Sequence, residues 1–520
     1  MEAESPKPKL KPTPVNWRVV LVSFTILSAT ATTVTMVFPF LPWMVRKFRI
    51  NGEFVQEEES GYYAGVVASS YFFGRFFGCY FWGIFSDKKG RRRTILISGS
   101  AIAIFNLSFG FTNTHLGLAW AMTTRVLSGA SNGLLGASKA AIADVSDNTN
   151  QAKGMAYVTA AWGMGLVAGQ ALGGLLAEPV RQYPGVFPRG FLETFPYFLP
   201  SAVTTFFLIL GLVLVYFLLP ETLDNGSYTL VSVGDVAERN DDDGISSENN
   251  RVQKTTRTID ETESEPAVSY STTNGVAMEF RDRKGQGGRR RSSVGEAIKK
   301  TTLWSILRHR EARLALATYC IFSFSVIGSD ELISLWMATK QYRGGLSFSE
   351  KEIGISQSVL AAVLVPLQII FAHRIEKKLG SLTAFYATCT VCAFFIAALP
   401  VVSSIENTVL LWTVLFINLF LMRFCIVVAF VMISIFINNA MPKSRFGAIN
   451  GLAISLTAFT RTLAPSFGGS LFAWCISWGA KRIGFPFDYH LVFYLFSIVY
   501  LIALLLSVKL PNSLQKQKNE

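Results

Sequence analysis

The chain has 520 residues, of which 50% are hydrophobic and only 16% charged, and its mean hydropathy is +0.37. A soluble chain of this length would carry charge on roughly a quarter of its residues. Charge this sparse and clumped excludes that class. The net charge of +13 and the pI of 9.4 do not indicate a nucleic-acid partner, because the Lys and Arg residues lie between apolar runs rather than on one face.

Val19–Pro42, Gly154–Ala177, Thr194–Pro220 and Leu379–Ile405 contain no Asp, Glu, Lys or Arg. Each exceeds the ~20 residues that a helix needs to cross the hydrocarbon layer of a bilayer. In chain order, the charge gaps predict twelve spans: Val19–Pro42, Gly61–Phe85, Thr94–Thr112, Leu116–Ala143, Gly154–Ala177, Thr194–Leu219, Leu314–Thr339, Ile353–His373, Leu382–Val402, Asn407–Ile437, Phe446–Trp474 and Tyr489–Val508. No period-two alternation marks barrel strands, so the spans are helices. The expected fold class is an all-α integral membrane protein, with twelve transmembrane helices in two six-helix bundles.

The expected organisation is an N-terminal tail (1–18), an N-terminal bundle (19–220), a linker (221–313), a C-terminal bundle (314–508) and a short tail (509–520). With the N-terminus inside, the inner tails and short loops carry 18 Lys and Arg against 10 in the outer loops. The positive-inside rule therefore puts both termini in the cytoplasm. The linker is polar, without apolar periodicity, and reads as disordered. It holds 12 acids and 4 bases up to Glu265, then 11 bases and 4 acids from Glu279. Its Arg289-Arg290-Arg291-Ser292-Ser293 segment suits an anionic inner leaflet, and a phosphate on Ser293 would weaken that attraction. Five of the six cysteines fall inside predicted spans and Cys475 directly follows one, which argues against a disulfide framework.

Between spans two and three lies Gly83-Ile-Phe-Ser-Asp87-Lys-Lys-Gly90-Arg91-Arg92. The glycines allow a tight turn, and Asp87 and the arginines can tie helix ends or lipid phosphate. This spacing resembles the hallmark loop of the major facilitator superfamily, with a weaker echo, Glu376-Lys-Lys-Leu-Gly380, between spans eight and nine. The resemblance implies a gating latch between Asp87 and Arg91. It also implies a substrate cavity lined by spans one, four, seven and ten, midway between two rocking bundles. Span five carries Gly165, Gly169, Gly173 and Gly174, a face suited to close helix packing. This run is also similar to the superfamily's antiporter motif, with Gln170 where that motif has Pro. Arg125, with Gly129 and Gly133, resembles a further motif of the superfamily whose Arg is associated with proton transfer. The alternative for Arg125 is a guanidinium held by backbone carbonyls.

Within the spans the bases are Arg75, Arg125, Lys139, Arg423 and Arg461, and the acids well inside are Asp330 and Glu331. Intramembrane charge costs at least ~2.5 kcal/mol and by default marks a pathway or a pair. Asp330 and Glu331 are ~100° apart on a helix, so one is expected to pair with Arg423 while the other titrates. Static structural pairing is the competing reading. Lys139 and Asp144 read as a snorkelling pair near the inner surface. Arg461, Trp162 and Trp336 are the candidate substrate-cavity residues.

Gly136-Ala-Ser-Lys139, Phe195-Pro-Tyr-Phe-Leu-Pro200, Asn438-Asn439 through Gly451 and Ala464-Pro465 through Trp474 resemble the zinc-induced facilitator-like branch of the proton-coupled drug antiporters. His115, His309, His373 and His490 are scattered at span ends, and zinc needs clustered ligands, so no metal site and no cofactor are expected. The sequence reads as a monomeric secondary transporter in a plasma or vacuolar/lysosomal membrane. It would exchange protons for a small anionic or zwitterionic organic solute, with lipid as its surroundings and no nucleic acid. A uniporter of the same fold and a non-transporting receptor are the rivals. No phosphate loop, nucleophile elbow or H-E-x-x-H is present, so an enzyme is not expected.

Overall fold

A computed structural model of the chain describes residues 16–113, 117–146, 151–222, 269–273, 276–280, 305–442, 446–479 and 483–515. Each predicted span has a helical counterpart. In the first half these are Trp17–Thr35, Ser60–Lys89, Arg91–Gly110, Gly117–Ala130 with Leu134–Asp144, Gln151–Leu176 and Phe198–Leu218. In the second half they are Arg310–Ala338, Glu350–Leu379, Ser381–Ala398, Thr408–Asn439, Phe446–Trp474 and His490–Val508.

Two spans are interrupted where the sequence suggested continuity. Span one stops at Thr35, turns through Met36–Phe40, and resumes as the short helix Leu41–Arg46. Pro39 and Pro42 lack the amide protons that would continue the ladder. Span four breaks at Ser131–Gly133, a run of poor helix formers. There Asn132 donates to the Tyr71 hydroxyl and the Trp82 ring lies against Gly133.

Among the described residues, seven helices are both long and apolar enough to cross a membrane by length and composition alone; the counterparts of spans two, four, five, eight and eleven fall short. Their packing gives the reason. Span two lies against spans four and eleven, and span five against spans one and eight. Helices that face protein on several sides can carry glycine and polar side chains that a lipid-facing helix cannot. The two halves meet along these pairs: span two packs on span eleven and span five on span eight. At the first contact a Cβ on Gly65 would stand 2.6 Å from the Pro465 carbonyl oxygen. At the second, Gly174 packs directly on Gly354.

Two small antiparallel ribbons depart from the all-helical expectation. Arg49–Ile50 pairs with Glu53–Phe54 around Asn51-Gly52, both with positive φ (54° and 89°), as a two-residue hairpin turn demands. Ser269–Thr273 pairs with Val276–Phe280 within the separate unit Asp224–Trp304. The strands there are rich in Thr, Tyr, Val and Phe and flank Asn274-Gly275, a hairpin signal that the featureless-linker reading overlooked. At the linker's far end residues 305–313 are largely helical, with Arg310–Ala338 beginning inside the stretch read as disordered; Ser293 falls outside the described residues.

Candidate functional site

Asp330 and Glu331 diverge from span seven as their ~100° offset requires. Asp330 is ion-paired with Nη1 of Arg423 on span ten. Nη2 of the same guanidinium donates to Gln170 Oε1 on span five at 3.0 Å. Gln170 is fully buried, so the residue that replaces proline in the glycine run supplies an acceptor between the halves. Glu331 points the other way, toward span eleven, where a Cβ on Gly469 would stand 3.3 Å from Glu331 Oε1. Glu331 is 2% exposed, and neither of its carboxylate oxygens has a hydrogen-bond partner among the described residues.

Arg125 does not join this set. Its Nη1 and Nη2 donate to the carbonyls of Thr33 and Val34 at 3.2 and 2.9 Å, and its guanidinium lies 4.8 Å from the Tyr71 ring centroid. Those carbonyls belong to the last turn of span one, where helix geometry leaves acceptors without donors. The arginine caps a helix end, and a cation there also complements the helix dipole. This is the carbonyl-held alternative left open by the sequence.

Arg461 and Trp162 lie in a second, cationic set. Arg461 Nη2 donates to Ser323 Oγ at 3.1 Å, and the Tyr319 phenol lies beside the same guanidinium. Trp162 carries the Arg75 guanidinium over its ring at 5.0 Å. Trp336 is elsewhere: it is fully buried, its indole donates to the Gly344 carbonyl at 2.8 Å, and it packs edge-on against Phe493. A tryptophan whose N–H is consumed and whose ring is sealed stabilises the fold and offers no face to a solute.

The loop after span two is tied by Arg91. Its Nη1 meets Asp87 Oδ1 at 2.6 Å, its Nε meets Asp144 Oδ2 at 3.1 Å, and its amide donates to Glu221 Oε1 at 2.6 Å. Gly90 turns there at φ 103°. Arg92 reaches the Tyr216 carbonyl at the end of span six, and Gly83 faces open space. Asp144 therefore serves Arg91 and is not the partner expected for Lys139. Gly165, Gly169 and Gly173 lie against the backbone of span one at Ser28, Thr32 and Met36, and Gly174 meets span eight. A cavity of about 250 Å³ runs inward from this loop, lined by Asp87, Arg91, Arg75, Lys139 and Asn450.

The sequence profile described as Major Facilitator Superfamily matches residues 23–465. The chain belongs to the major facilitator superfamily. It is 29% identical to the protein Zinc Induced Facilitator 1 of Arabidopsis thaliana over 93% of its own length and 89% of that protein. Its fold is similar to that of a D-xylose–proton symporter, with a TM-score of 0.64, 11% identity and coverage of 97% and 100% of the two chains. It is also similar to the human organic anion transporter MFSD10 (TETRAN), with a TM-score of 0.59, 17% identity and coverage of 95% and 100%. The chain is a multi-pass membrane transporter of the superfamily, with that superfamily's two six-helix bundles.

At the end opposite the hallmark loop of this superfamily lies an ion-pair network in which Arg181–Glu350 and Arg343–Glu58 join the halves. Arg181 bridges Glu178 at 3.1 Å and Glu350 at 2.7 Å, Lys47 meets Glu178 at 2.6 Å, and Arg343 meets Glu58 at 2.7 Å. Tyr197 donates to Glu178 at 3.1 Å. Glu350 precedes the apolar stretch of span eight and is fully buried. Burial and the neighbouring Glu178 carboxylate push its pKa up to about 7 against the pull of Arg181. Sequence reading missed this network, because its members are scattered through three loops with no spacing to mark them. It missed Glu221 for the same reason.

Proposed function

We propose that the chain exchanges protons for a small organic anion or zwitterion by alternating access, with Glu331 as the proton-carrying group. The observation that carries this reading is an enclosed carboxyl with no donor or cation beside it among the described residues. Such a group favours its uncharged form until water or a cation reaches it. A rocking motion that parts span two from spans seven and eleven would hydrate Glu331 and release its proton. Arg423 compensates the charge of the adjacent Asp330, and the Gln170 contact joins the halves. A D-xylose–proton symporter and an organic anion transporter share the fold. By the positive-inside rule the hallmark loop faces the cytoplasm. The far-end ion pairs and the inward cavity then correspond to a state closed outside.

The test is flux of labelled organic anions into proteoliposomes under an imposed pH gradient. Glu331→Gln is expected to abolish gradient-driven accumulation while preserving solute counterflow. Accumulation that survives this change sinks the assignment, and wild-type flux indifferent to the gradient makes the protein a uniporter.

A further inference from the structure

We propose that Arg75, Lys139 and Arg461 form a subsite for a small organic anion bearing two or more negative charges, shared between the two halves. Arg75 stands on span two and is 2% exposed, and its Nε and Nη1 have no hydrogen-bond partner among the described residues. Arg461 stands on span eleven, 5% exposed, with an unpartnered Nε. Lys139, half-buried on span four, is within electrostatic reach of both guanidinium groups and of Tyr319. No Asp or Glu is ion-paired with any of the three among the described residues.

The contrast with the other buried arginines decides the reading. Arg423 has its carboxylate and Arg125 its two carbonyls. Three cations gathered without an acid both repel one another and pay the desolvation cost of burial. A purely structural role would be served by compensated charge, as at Arg423. A bound anion supplies the missing compensation: guanidinium groups fork onto carboxylate or phosphate oxygens, and the lysine adds a point charge. One carboxylate offsets one cation, so a monoanion leaves most of the charge uncompensated.

Arg75 and Lys139 line the cavity of about 250 Å³. That is below the ~300–1,000 Å³ of drug-sized pockets and suits a small di- or tricarboxylate or a phosphate monoester. The cavity reaches the surface beside Asp87, whose side chain is 73% exposed and engaged by Arg91. Trp162 backs the Arg75 guanidinium, which fixes its plane. Because Arg75 and Lys139 belong to one half and Arg461 to the other, a bridging anion draws the halves together. That gives a solute a differential affinity for one state, the condition for driving a conformational change. The assignment names the solute class of the transport reading above and rests on that reading for its purpose, though not for the binding itself.

Binding to the purified full-length protein is measured calorimetrically at fixed ionic strength with citrate, succinate, glycerol 3-phosphate and acetate. At least one of the multiply charged probes is expected to bind at least about tenfold more tightly than acetate. Lys139→Gln and Arg461→Gln are expected to weaken that probe about tenfold or more, Arg461→Lys less, and the exposed Arg189→Gln not at all. Should Arg461→Gln fail to fold, Lys139→Gln and Arg461→Lys decide. Multiply charged probes that bind no better than acetate, or undiminished binding to Lys139→Gln and Arg461→Lys, overturn the proposal. The measurement uses no gradient, so it reads anion binding apart from proton coupling. Anion binding without gradient-driven flux thus removes the coupling role and leaves the subsite standing. Gradient-driven flux without anion binding does the reverse.

Discussion

The Arg125 guanidinium donates to the Thr33 carbonyl at 3.2 Å and, through its second terminal nitrogen, to Val34 at 2.9 Å. Span one ends there, before the turn at Met36–Phe40, so the arginine satisfies acceptors that hydrocarbon cannot. Arg125→Ala orphans both, at about 1–3 kcal/mol each. Arg125→Lys retains a donor and the charge. Thermal unfolding of the purified protein should rank wild type above Arg125→Lys and Arg125→Lys above Arg125→Ala. Equal midpoints for all three would remove the capping role.

Gln170 and Asp330 share one arginine but differ in what their loss leaves behind. Gln170→Leu strips an acceptor from an arginine that keeps its carboxylate, a loss of about 1–3 kcal/mol. Arg423→Leu abandons a buried carboxylate, with an expected cost of about 3–5 kcal/mol. Adding Asp330→Leu to Arg423→Leu should recover much of that cost, since an apolar pair often matches a buried ion pair. Denaturation of the three variants in detergent checks the order.

Glu350 gives the far-end closure a pH dependence whose sign follows from linkage. Its carboxyl titrates at about 7 where it is buried beside Glu178, and exposure in an opened state would return it toward its ordinary value of 4.5. The closed state therefore binds the proton more tightly. Closure is strengthened by acidification and weakened as the pH rises from 4.5 through about 7. Spin labels on Arg189→Cys and Tyr342→Cys, both at exposed positions, should report a shorter distance at pH 5.5 than at pH 8. Glu350→Gln should make the distance insensitive to pH over that range.

The glycine face of span five is a matter of backbone contact. A methyl on Gly173 would collide with the Met36 carbonyl, whereas one on Gly136 meets nothing within 4 Å. Gly173→Ala is expected to cost about 1–3 kcal/mol by overpacking. Gly136→Ala should be neutral or stabilising, by up to about 1 kcal/mol of helix propensity. Melting midpoints of the two variants separate the cases.

The spans were legible because hydrocarbon enforces long uncharged runs. Phe446–Trp474 emerged with the boundaries that its charge gap predicted. The breaks in spans one and four were not read, because Pro39 and the Ser131–Gly133 run sit inside apolar segments that hide them. The pairing of Asp330 with Arg423 followed from scarcity: few acids and bases lie within the spans, so partners are few. Arg125 misled for the complementary reason, since a backbone carbonyl is an acceptor that no residue letter displays. Trp336 misled because burial on every side and burial against a cavity look alike in sequence. The three-cation set was visible only as separate arginines and a lysine, and it took the packing of span two on span eleven to bring Arg75 and Arg461 near each other.

Both partners of the Asp330–Arg423 pair belong to the C-terminal bundle, and what crosses to the N-terminal bundle is the uncharged carboxamide of Gln170. Parting opposite unit charges by ~4 Å costs roughly 4 kcal/mol at an effective dielectric of 20, a toll that a carrier would meet on every turnover. Here the seam at mid-membrane runs through a dipole, so the bundles can come apart without stranding a lone ion on either wall. The opposite charges that do pair across the halves, Arg181 with Glu350 and Arg343 with Glu58, stand at the far end instead.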